Sequence, residues 1–449
     1  MDDFEKNFLT EKSAIAKISN KIDLRHYENY NVKRGLRNSD GTGVLVGLTE
    51  IGDVHGYIVD ENEKVPVHGS LRYRGIDIQD LCDGFIKEKR FGFEETCYLL
   101  LFGELPDKKT LADFSSLLTS YRALPSDFLE VSVKIPSTNI MNMLARNVLI
   151  AYCYDSDPEN RDIQNVLRQC MELIAKFPVM VAYGYQSKIH CYDRQSLVMH
   201  RPDDSLGTAE NFLHMIRQDG TFTRIEAEVL DLALVLHAEH GGGNNSSFTT
   251  HVVTSSNTDV YSSITAAIGS LKGLKHGGAN LRVIEMMDDI MANVKDWSSE
   301  SEVSDYISKI IRKEAFDRSG LVYGMGHAVY TKSDPRAIIF KSKVEELVKE
   351  KGCHEEFELY RNIEKLTPQI FSDVKKSDKV ISANVDFYSG FVYKILGIPT
   401  DLYTPIFAMS RVAGWSAHIL EEMISGGRII RPAYKNVSKK KPYIPILER

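Results

Sequence analysis

The feature that most constrains the fold is that the convincing β pattern of this 449-residue chain is confined to residues 35–75. There, short apolar runs at 44–46 and 57–59 alternate with glycine, asparagine and aspartate turn residues. Beyond residue 75 the apolar residues recur at helical spacing. Because no strand–helix alternation follows, a doubly wound parallel sheet is excluded. The pattern predicts a mainly α protein with a small N-terminal β element.

Six segments carry strong helical periodicity. They are residues 225–240, 258–270, 281–294, 303–315, 335–350 and 405–425. Residues 225–240 are apolar nearly all round, so this helix is predicted to be largely buried. Asp334 directly before Pro335 predicts an N-terminal cap, and Gly352 predicts the end of that helix.

Charge and targeting patterns exclude several classes of protein. With 55 Lys and Arg against 62 Asp and Glu, the net charge of −7 disfavours a general nucleic-acid binder. No stretch approaches the roughly 20 apolar residues that span a bilayer, so no membrane partner is expected. The N-terminal MDDFEKNFLTEKS is unlike a secretory signal, and the six scattered cysteines form no CxxC pair. A cytoplasmic protein is predicted.

Three histidines lie beside glycines within fewer than a hundred residues. His240 opens HGGGNNSS, His276 opens HGGAN, and His327 closes GMGH. One such histidine is usually a polar cap at a helix end, but three favour a functional site. Glycine lets the backbone approach a ligand closely. A histidine there can present one ring nitrogen while the backbone holds the other.

The pattern fits other kinds of site less well. His237 and His240 are three residues apart on a predicted helix, so a metal pair and a metal-dependent hydrolase stay open. The string HAEH matches neither HExxH nor HxxEH. HGGG is similar to an esterase oxyanion loop, but the chain contains no GxSxG. No P-loop and no GxGxxG after a strand occur, so nucleotide sites of those types have no support.

Arginines and one aspartate complete the candidate site. A guanidinium fork matches a carboxylate bidentately, so convergence of Arg336, Arg411 and Arg431 would select a small polycarboxylate. Each alone is more often a surface ion pair, but Arg411 lies among apolar residues, where an unpaired charge is costly. Asp386 in SANVDFYSG also has apolar neighbours, which would raise its pKa and make it a better base. The alternative for Asp386 is a helix cap.

Together these strings resemble the citrate synthase family. The matching blocks are GSLRYRGIDIQDL (69–81), LHAEHGGGNNSSF (236–248), GSLKGLKHGGAN (269–280), GMGHAVYTKSDPRA (324–337), NVDFYSG (384–390), SRVAGWSAHILEE (410–422) and RIIRPAYKN (428–436). They run in family order with compatible spacing. The resemblance implies a two-domain helical fold, in which a small domain (277–387) closes over a large domain formed by 1–276 and 388–449.

The resemblance also implies a role for each residue. His276 would hydrogen-bond the thioester carbonyl of acetyl-CoA, Asp386 would take a proton from its methyl group, and His327 would protonate the ketone oxygen of oxaloacetate. His276 is expected to be neutral, because a helix N-terminus disfavours the imidazolium. The residues that would hold oxaloacetate are His240, Arg336, Arg411 and, reaching from the neighbouring subunit of a homodimer, Arg431.

The implied reaction is that of an acyltransferase of the tricarboxylic acid cycle, which forms citryl-CoA and hydrolyses it to citrate and CoA. The implied contacts to coenzyme A are Lys275, Gly324, Gly326 and Lys332. No metal and no tightly bound cofactor are implied, and a higher oligomer remains open. A 2-methylcitrate synthase using propionyl-CoA is the close alternative, because one methyl group is worth only about 1–3 kcal/mol in a pocket. A non-catalytic protein that retains the fold is a third reading.

Overall fold

The computed structural model describes residues 3–38, 40–60, 63–377, 380–425 and 427–449. Within these ranges the chain forms eighteen α-helices and one small antiparallel sheet with the strand order β1-β2-β3. The strands are β1 Gly52–Asp60, β2 Glu63–Tyr73 and β3 Ile76–Asp77. The predicted mainly α fold with a small N-terminal β element is confirmed.

The helices are, in chain order, α1 Asp3–Ser19, α2 Arg25–Asn29, α3 Ile78–Lys87, α4 Phe93–Phe102, α5 Lys108–Tyr121, α6 Ser126–Lys134, α7 Ile140–Tyr154, α8 Ile163–Cys191, α9 Thr208–Ile216, α10 Arg224–His237, α11 Asn245–Thr254, α12 Val260–Lys272, α13 Ala279–Asn293, α14 Glu300–Ile311, α15 Pro335–Lys351, α16 His354–Lys375, α17 Val385–Ile395 and α18 Tyr403–Ile424. Short 3₁₀ turns lie at Arg34–Leu36, Thr400–Leu402 and Ile446–Glu448. In the part of the chain that the structure describes, no helix is both long and apolar enough to cross a membrane.

The chain divides into two compact units. The first comprises residues 1–47 and 431–449, and its helix α1 buries no side chain. The predicted strand at 44–46 is wrong, because Leu45 and Val46 are 86% and 52% exposed and this apolar run is irregular. The second unit, residues 48–430, contains the sheet and the helices from α3 to α18. The predicted domain boundaries at 276 and 387 remain predictions.

All six predicted helices occur, with shifted ends. The helix predicted over 225–240 begins after the cap Thr223 and ends at His237, because a turn and glycines follow. The Asp334 cap is confirmed, since its carboxylate accepts a hydrogen bond from the Arg336 amide. Gly352 ends the same helix in the left-handed conformation, with φ 70°.

The β1–β2 hairpin supports the loop between residues 329 and 333. The amide of Gly69 donates to the carbonyl of Ser333 over 3.1 Å. A Cβ at Gly56 would lie 2.4 Å from the Val329 carbonyl oxygen, and one at Gly69 would lie 2.2 Å from that of Ser333. The hairpin and the loop therefore pack backbone against backbone, which only glycine allows at these two positions.

Helix α18 runs through the core of the second unit. It packs against α8, α10, α11 and α12, and its residues 408–420 are all buried. The end of α10 is fixed by Tyr73 of β2, whose hydroxyl donates to the Val235 carbonyl over 3.0 Å. The positions of His237 and His240 are therefore set by two elements that are themselves rigidly packed.

Candidate active site

Two of the glycine-flanked histidines, His240 and His327, lie side by side. Their ring centres are 5.2 Å apart and the rings are nearly perpendicular. Tyr330, which sequence reasoning missed, stacks on His327 at 4.8 Å and places its hydroxyl 3.2 Å from Nε2 of His240. Its position three residues after His327, in the string HAVY, was the available signal.

The backbone fixes the tautomer of His327. Its Nδ1 accepts hydrogen bonds from the amides of Val329 (3.0 Å) and Tyr330 (3.2 Å). A ring nitrogen that accepts a hydrogen bond carries no hydrogen, so the neutral ring carries its hydrogen on Nε2. His327 therefore offers Nε2–H as a donor.

The His327 loop is joined to the segment that precedes Asp386. The Gly326 amide donates to the Ser382 carbonyl over 2.7 Å, and the Asn384 amide donates to the Gly324 carbonyl over 2.9 Å. The Asn384 side chain donates to the Gly326 carbonyl over 2.8 Å. The structure thereby brings the predicted acid His327 and the predicted base Asp386 into one hydrogen-bonded substructure.

Asp386 lies in the first turn of α17, half-buried. The cap of that helix is Asn384, whose side chain accepts the Asp386 amide over 3.0 Å, so Asp386 itself is not the cap. Burial raises the pKa of Asp386 to about 6, although the charges of Arg336 and Arg411 act to lower it. The predicted direction of this pKa shift agrees with the structure.

Arg336 is held by its own helix cap. Its guanidinium donates to both oxygens of Asp334, over 3.0 and 2.8 Å, and both side chains are almost fully buried. Burial opposes the charge on Arg336, but Asp334 raises the pKa of the guanidinium above its ordinary value. This arginine is thus a fixed cation at the start of α15.

Arg411 is completely buried in α18. Its Nε donates to the His237 carbonyl over 2.5 Å, and the ring of Phe407 lies 4.7 Å from the guanidinium carbon. Nη1 and Nη2 have no hydrogen-bond partner among the described residues. Burial lowers the pKa of Arg411 to about 10, opposed chiefly by Glu239, so it stays charged at neutral pH. Two buried, unpaired donors are suited to an anion.

His276 lies in the turn before α13, half-buried. Its Nε2 is 3.1 Å from the hydroxyl of Ser246, which also accepts the indole N–H of Trp415 over 3.1 Å. Burial and then the charge of Arg411 lower the pKa of His276 to about 4, so the ring is neutral at pH 7. The predicted neutral state agrees with this, but its cause is burial rather than a helix N-terminus, since α13 starts only at Ala279.

The two arginines connect these groups electrostatically. The charge of Arg411 acts on the pKa of both Asp386 and His276. Burial lowers the pKa of His240 most strongly, and the charge of Arg336 is the second cause that lowers it. Asp386, His276 and His240 therefore all lie within the electrostatic influence of one or both buried arginines.

The remaining predicted residues fall into two groups. Lys275 and Lys332 are exposed, whereas Gly324 and Gly326 lie in the His327 loop with φ of 78° and 93°. A Cβ at Gly324 would lie 2.8 Å from the ring of Phe387, so this glycine permits the close approach of the loop to α17. Arg431 belongs to the first unit and stays a prediction.

The metal alternative rested on His237 and His240. His237 ends α10 and His240 lies beyond it, so the two do not share a helix face. Among the described residues, the group whose ligand atoms lie within 4.8 Å of one another is His251, His418 and Glu421. Neither histidine of the HAEH string belongs to that group.

Comparison with known proteins supplies the family. The domain described as "Citrate synthase, C-terminal domain" matches residues 38–433. The chain belongs to the citrate synthase family. A citrate synthase of Haloferax volcanii is 35% identical, covering 93% of this chain and 99% of that protein. A 2-methylcitrate synthase of Corynebacterium glutamicum is 32% identical, covering 93% of this chain and 98% of that protein.

A solved structure agrees with this assignment. It is the ternary complex of carboxymethyl coenzyme A and oxaloacetate with citrate synthase from Thermoplasma acidophilum. It superposes with a TM-score of 0.74 at 26% identity and covers 93% of this chain and 99% of that one. Membership in the citrate synthase family makes the chain a transferase, an acyltransferase of the citrate synthase type.

Proposed function

We propose that this enzyme condenses acetyl-CoA with oxaloacetate and hydrolyses the resulting citryl-CoA to citrate and CoA. The observation that carries the proposal is the placement of Asp386, whose pKa is raised to about 6, in one hydrogen-bonded substructure with His327. The Haloferax relative and the Thermoplasma complex, with its oxaloacetate and CoA analogue, support the choice of substrates.

The first step is removal of a proton from the acetyl methyl group. A thioester methyl is a weak carbon acid, so a base at the C–H and a donor at the developing oxyanion must act together. Asp386 takes the proton, and the neutral ring of His276 donates a hydrogen bond to the thioester oxygen. A neutral donor suits this role, because an imidazolium with a pKa of about 4 would give up its proton at pH 7.

The second step forms the carbon–carbon bond. The enol or enolate carbon attacks the ketone carbon of oxaloacetate, and the ketone oxygen takes a proton from His327. The fixed Nε2–H of His327 is the hydrogen available for this transfer. Arg336, Arg411 and His240 hold the oxaloacetate, and the unpaired nitrogens of Arg411 bind one of its carboxylates. Water then cleaves the C–S bond and releases the CoA thiol.

Other parts of the proposal concern assembly and coenzyme A. We infer a homodimer in which Arg431 of each chain completes the neighbour's oxaloacetate site, and closure of residues 277–387 that shields the enolate from water. The exposed Lys275 and Lys332 would bind coenzyme A phosphates beside Gly324 and Gly326. The chemistry needs neither a metal nor a tightly bound cofactor, and a cytoplasmic role in the tricarboxylic acid cycle is consistent with it.

The second candidate is a 2-methylcitrate synthase, favoured by the identity to the Corynebacterium enzyme. The two candidates differ only in the acyl group, so kcat/KM for acetyl-CoA and propionyl-CoA on the purified protein decides between them. We expect acetyl-CoA to be preferred. A higher kcat/KM for propionyl-CoA would replace the first candidate with the second.

Asp386→Asn tests the mechanism common to both candidates. Thiol release from acyl-CoA plus oxaloacetate should fall by at least about 10²-fold, the contribution of one general base. The circular dichroism spectrum should be unchanged. Asp305→Asn on the exposed face of α14 is the matched control and should keep full activity. Full activity of Asp386→Asn would exclude Asp386 as the base.

A further inference from the structure

A chain of titratable side chains begins at Glu239, the residue before the proposed oxaloacetate ligand His240. Glu239, between His237 and His240, accepts the Nε2 hydrogen of His418 over 3.1 Å, and both side chains are fully buried. Nδ1 of His418 lies 3.0 Å from Nε2 of His251, whose Nδ1 lies 2.8 Å from Glu422. Two imidazoles thus connect two carboxylates.

These contacts fix the number of ring hydrogens. Each carboxylate takes one N–H, which uses the single hydrogen of each neutral ring. The 3.0 Å contact between the rings then needs a third hydrogen, because otherwise two lone pairs face each other. The pair therefore holds one imidazolium.

The charged ring is His418. Burial opposes its charge, but Glu239 and then Glu421 raise the pKa of His418 to about 9. Burial and then the charge of His418 lower the pKa of His251. The titratable groups that face His418 are Glu239 from the α10–α11 turn, His251 from α11, and Glu421 from its own helix.

The carboxylate of Glu239 is closely surrounded by other atoms. A Cβ at Gly52 would lie 2.7 Å from its Oε1, and a Cβ at Gly414 would lie 2.4 Å from its Oε2. Oε2 has no hydrogen-bond partner within the described ranges. His418 is the side chain that holds this carboxylate, and the amide of Gly241 also stabilises its charge.

Arg411 is the cation that Glu239 would otherwise pair with. Of the charges that stabilise its guanidinium, Glu239 is the strongest, yet no hydrogen bond joins them. Nη1 and Nη2 of Arg411 are left without a partner among the residues described. A carboxylate and a guanidinium form the strongest of the common side-chain pairs, so Glu239 is a potential internal competitor of the substrate.

We propose that His418, with His251 behind it, is a positioning residue for oxaloacetate: by holding Glu239 it keeps the terminal nitrogens of Arg411 open for the substrate carboxylate. This role rests on the proposed function, since it takes oxaloacetate as the ligand of Arg411. It predicts an effect on binding and little on chemistry, because His276, His327 and Asp386 are untouched.

His418→Leu tests the role. KM for oxaloacetate should rise at least about tenfold, with KM for acetyl-CoA and kcat changed less than about threefold. His418→Gln, which keeps a donor to Glu239, should give a smaller rise. The double variant Glu239→Gln/His418→Leu, which removes the competing charge, should return KM for oxaloacetate toward the wild-type value, a rescue that a purely structural role does not predict.

A matched control and a second variant keep the test decisive. Gln186→Leu also removes a buried polar side chain, one that donates to the Met215 carbonyl, and should lower stability without changing KM. If His418→Leu does not fold, His251→Leu takes its place. It should also raise KM for oxaloacetate, but by a smaller factor. Equal rises in both KM values, or no rescue by the double variant, would overturn the proposal.

Two further outcomes separate this role from its alternatives. A rise in KM for oxaloacetate after dialysis against EDTA would overturn it, since a metal rather than a hydrogen would then join His251, His418 and Glu421. If the unmodified protein releases no thiol, the proposed function fails instead. Calorimetric titration of oxaloacetate into wild type and His418→Leu still measures the positioning role in that case.

Discussion

Oδ2 of Asp334 accepts a hydrogen bond of 3.2 Å from the backbone amide of Val385, the residue directly before Asp386. The same carboxylate forms the buried ion pair with Arg336. One side chain therefore joins the arginine proposed to bind oxaloacetate to the helix that carries the proposed base.

Asp334→Asn should be strongly destabilising. It leaves the guanidinium of Arg336 buried without its counter-charge, which typically costs about 3–5 kcal/mol. Urea unfolding should report this loss, and KM for oxaloacetate should rise as Arg336 loses its orientation. Glu358→Gln, which breaks the exposed pair with Arg361, is the control and should cost less than about 1 kcal/mol. Equal costs for the two variants would contradict the prediction.

The acid side of the pH profile should report Asp386. A carboxylate whose pKa is raised to about 6 is protonated below that pH and then no longer acts as a base. We expect kcat/KM for acetyl-CoA to fall about tenfold per pH unit below about 6. His276, with a pKa near 4, stays neutral over this range. Thiol release measured from pH 5 to 8 gives the profile, and constant activity down to pH 5 would speak against Asp386.

Two glycines in helices should respond oppositely to alanine. At Gly414 the new methyl group would lie 2.4 Å from Oε2 of Glu239 and 2.5 Å from the Ala238 carbonyl, so Gly414→Ala should destabilise by about 1–3 kcal/mol. At Gly269 in α12 nothing lies within 4 Å, and Gly269→Ala should stabilise by about 0.5–1 kcal/mol. Thermal unfolding of both variants measures the difference.

The stability contributed by His418 should depend on pH. Its folded-state pKa of about 9 exceeds the ordinary 6.5, so the folded state retains a proton that the unfolded state loses. The contribution is complete below about pH 6.5 and disappears as pH rises through 9, at about 1.4 kcal/mol per pH unit. The difference in unfolding free energy between wild type and His418→Gln should shrink over that interval. A constant difference would show that His418 is neutral.

Local signals in the sequence predicted the helices and the cap at Asp334, because periodicity and capping depend on neighbouring residues. The apolar run at 44–46 suggested a strand that does not form, because an apolar run becomes a strand only where a neighbouring strand pairs with it. The glycine-flanked histidines were also visible locally.

The side chains that these histidines contact could not be predicted from the sequence. Tyr330 meets His240 across 90 residues, Ser246 meets His276 across 30, and His418 meets Glu239 across 179. No local pattern encodes such pairings, because they arise only when the helices pack. The same holds for the pKa of His276, which depends on burial and on Arg411 rather than on the start of α13.

The contact between residues 324–326 and 382–384 consists largely of main-chain atoms, with the Asn384 amide as its one side-chain bond. Its hydrogen bonds therefore do not involve the side chains of Met325, Ser382 and Ala383. Substitutions at the half-buried Met325 and Ser382 can therefore leave the spacing of the segments that carry His327 and Asp386 unchanged, whereas the buried Ala383 has room only for a small side chain. Main-chain pairing can thus preserve the spacing of the proposed acid and base in descendants of this enzyme in which neighbouring side chains have changed.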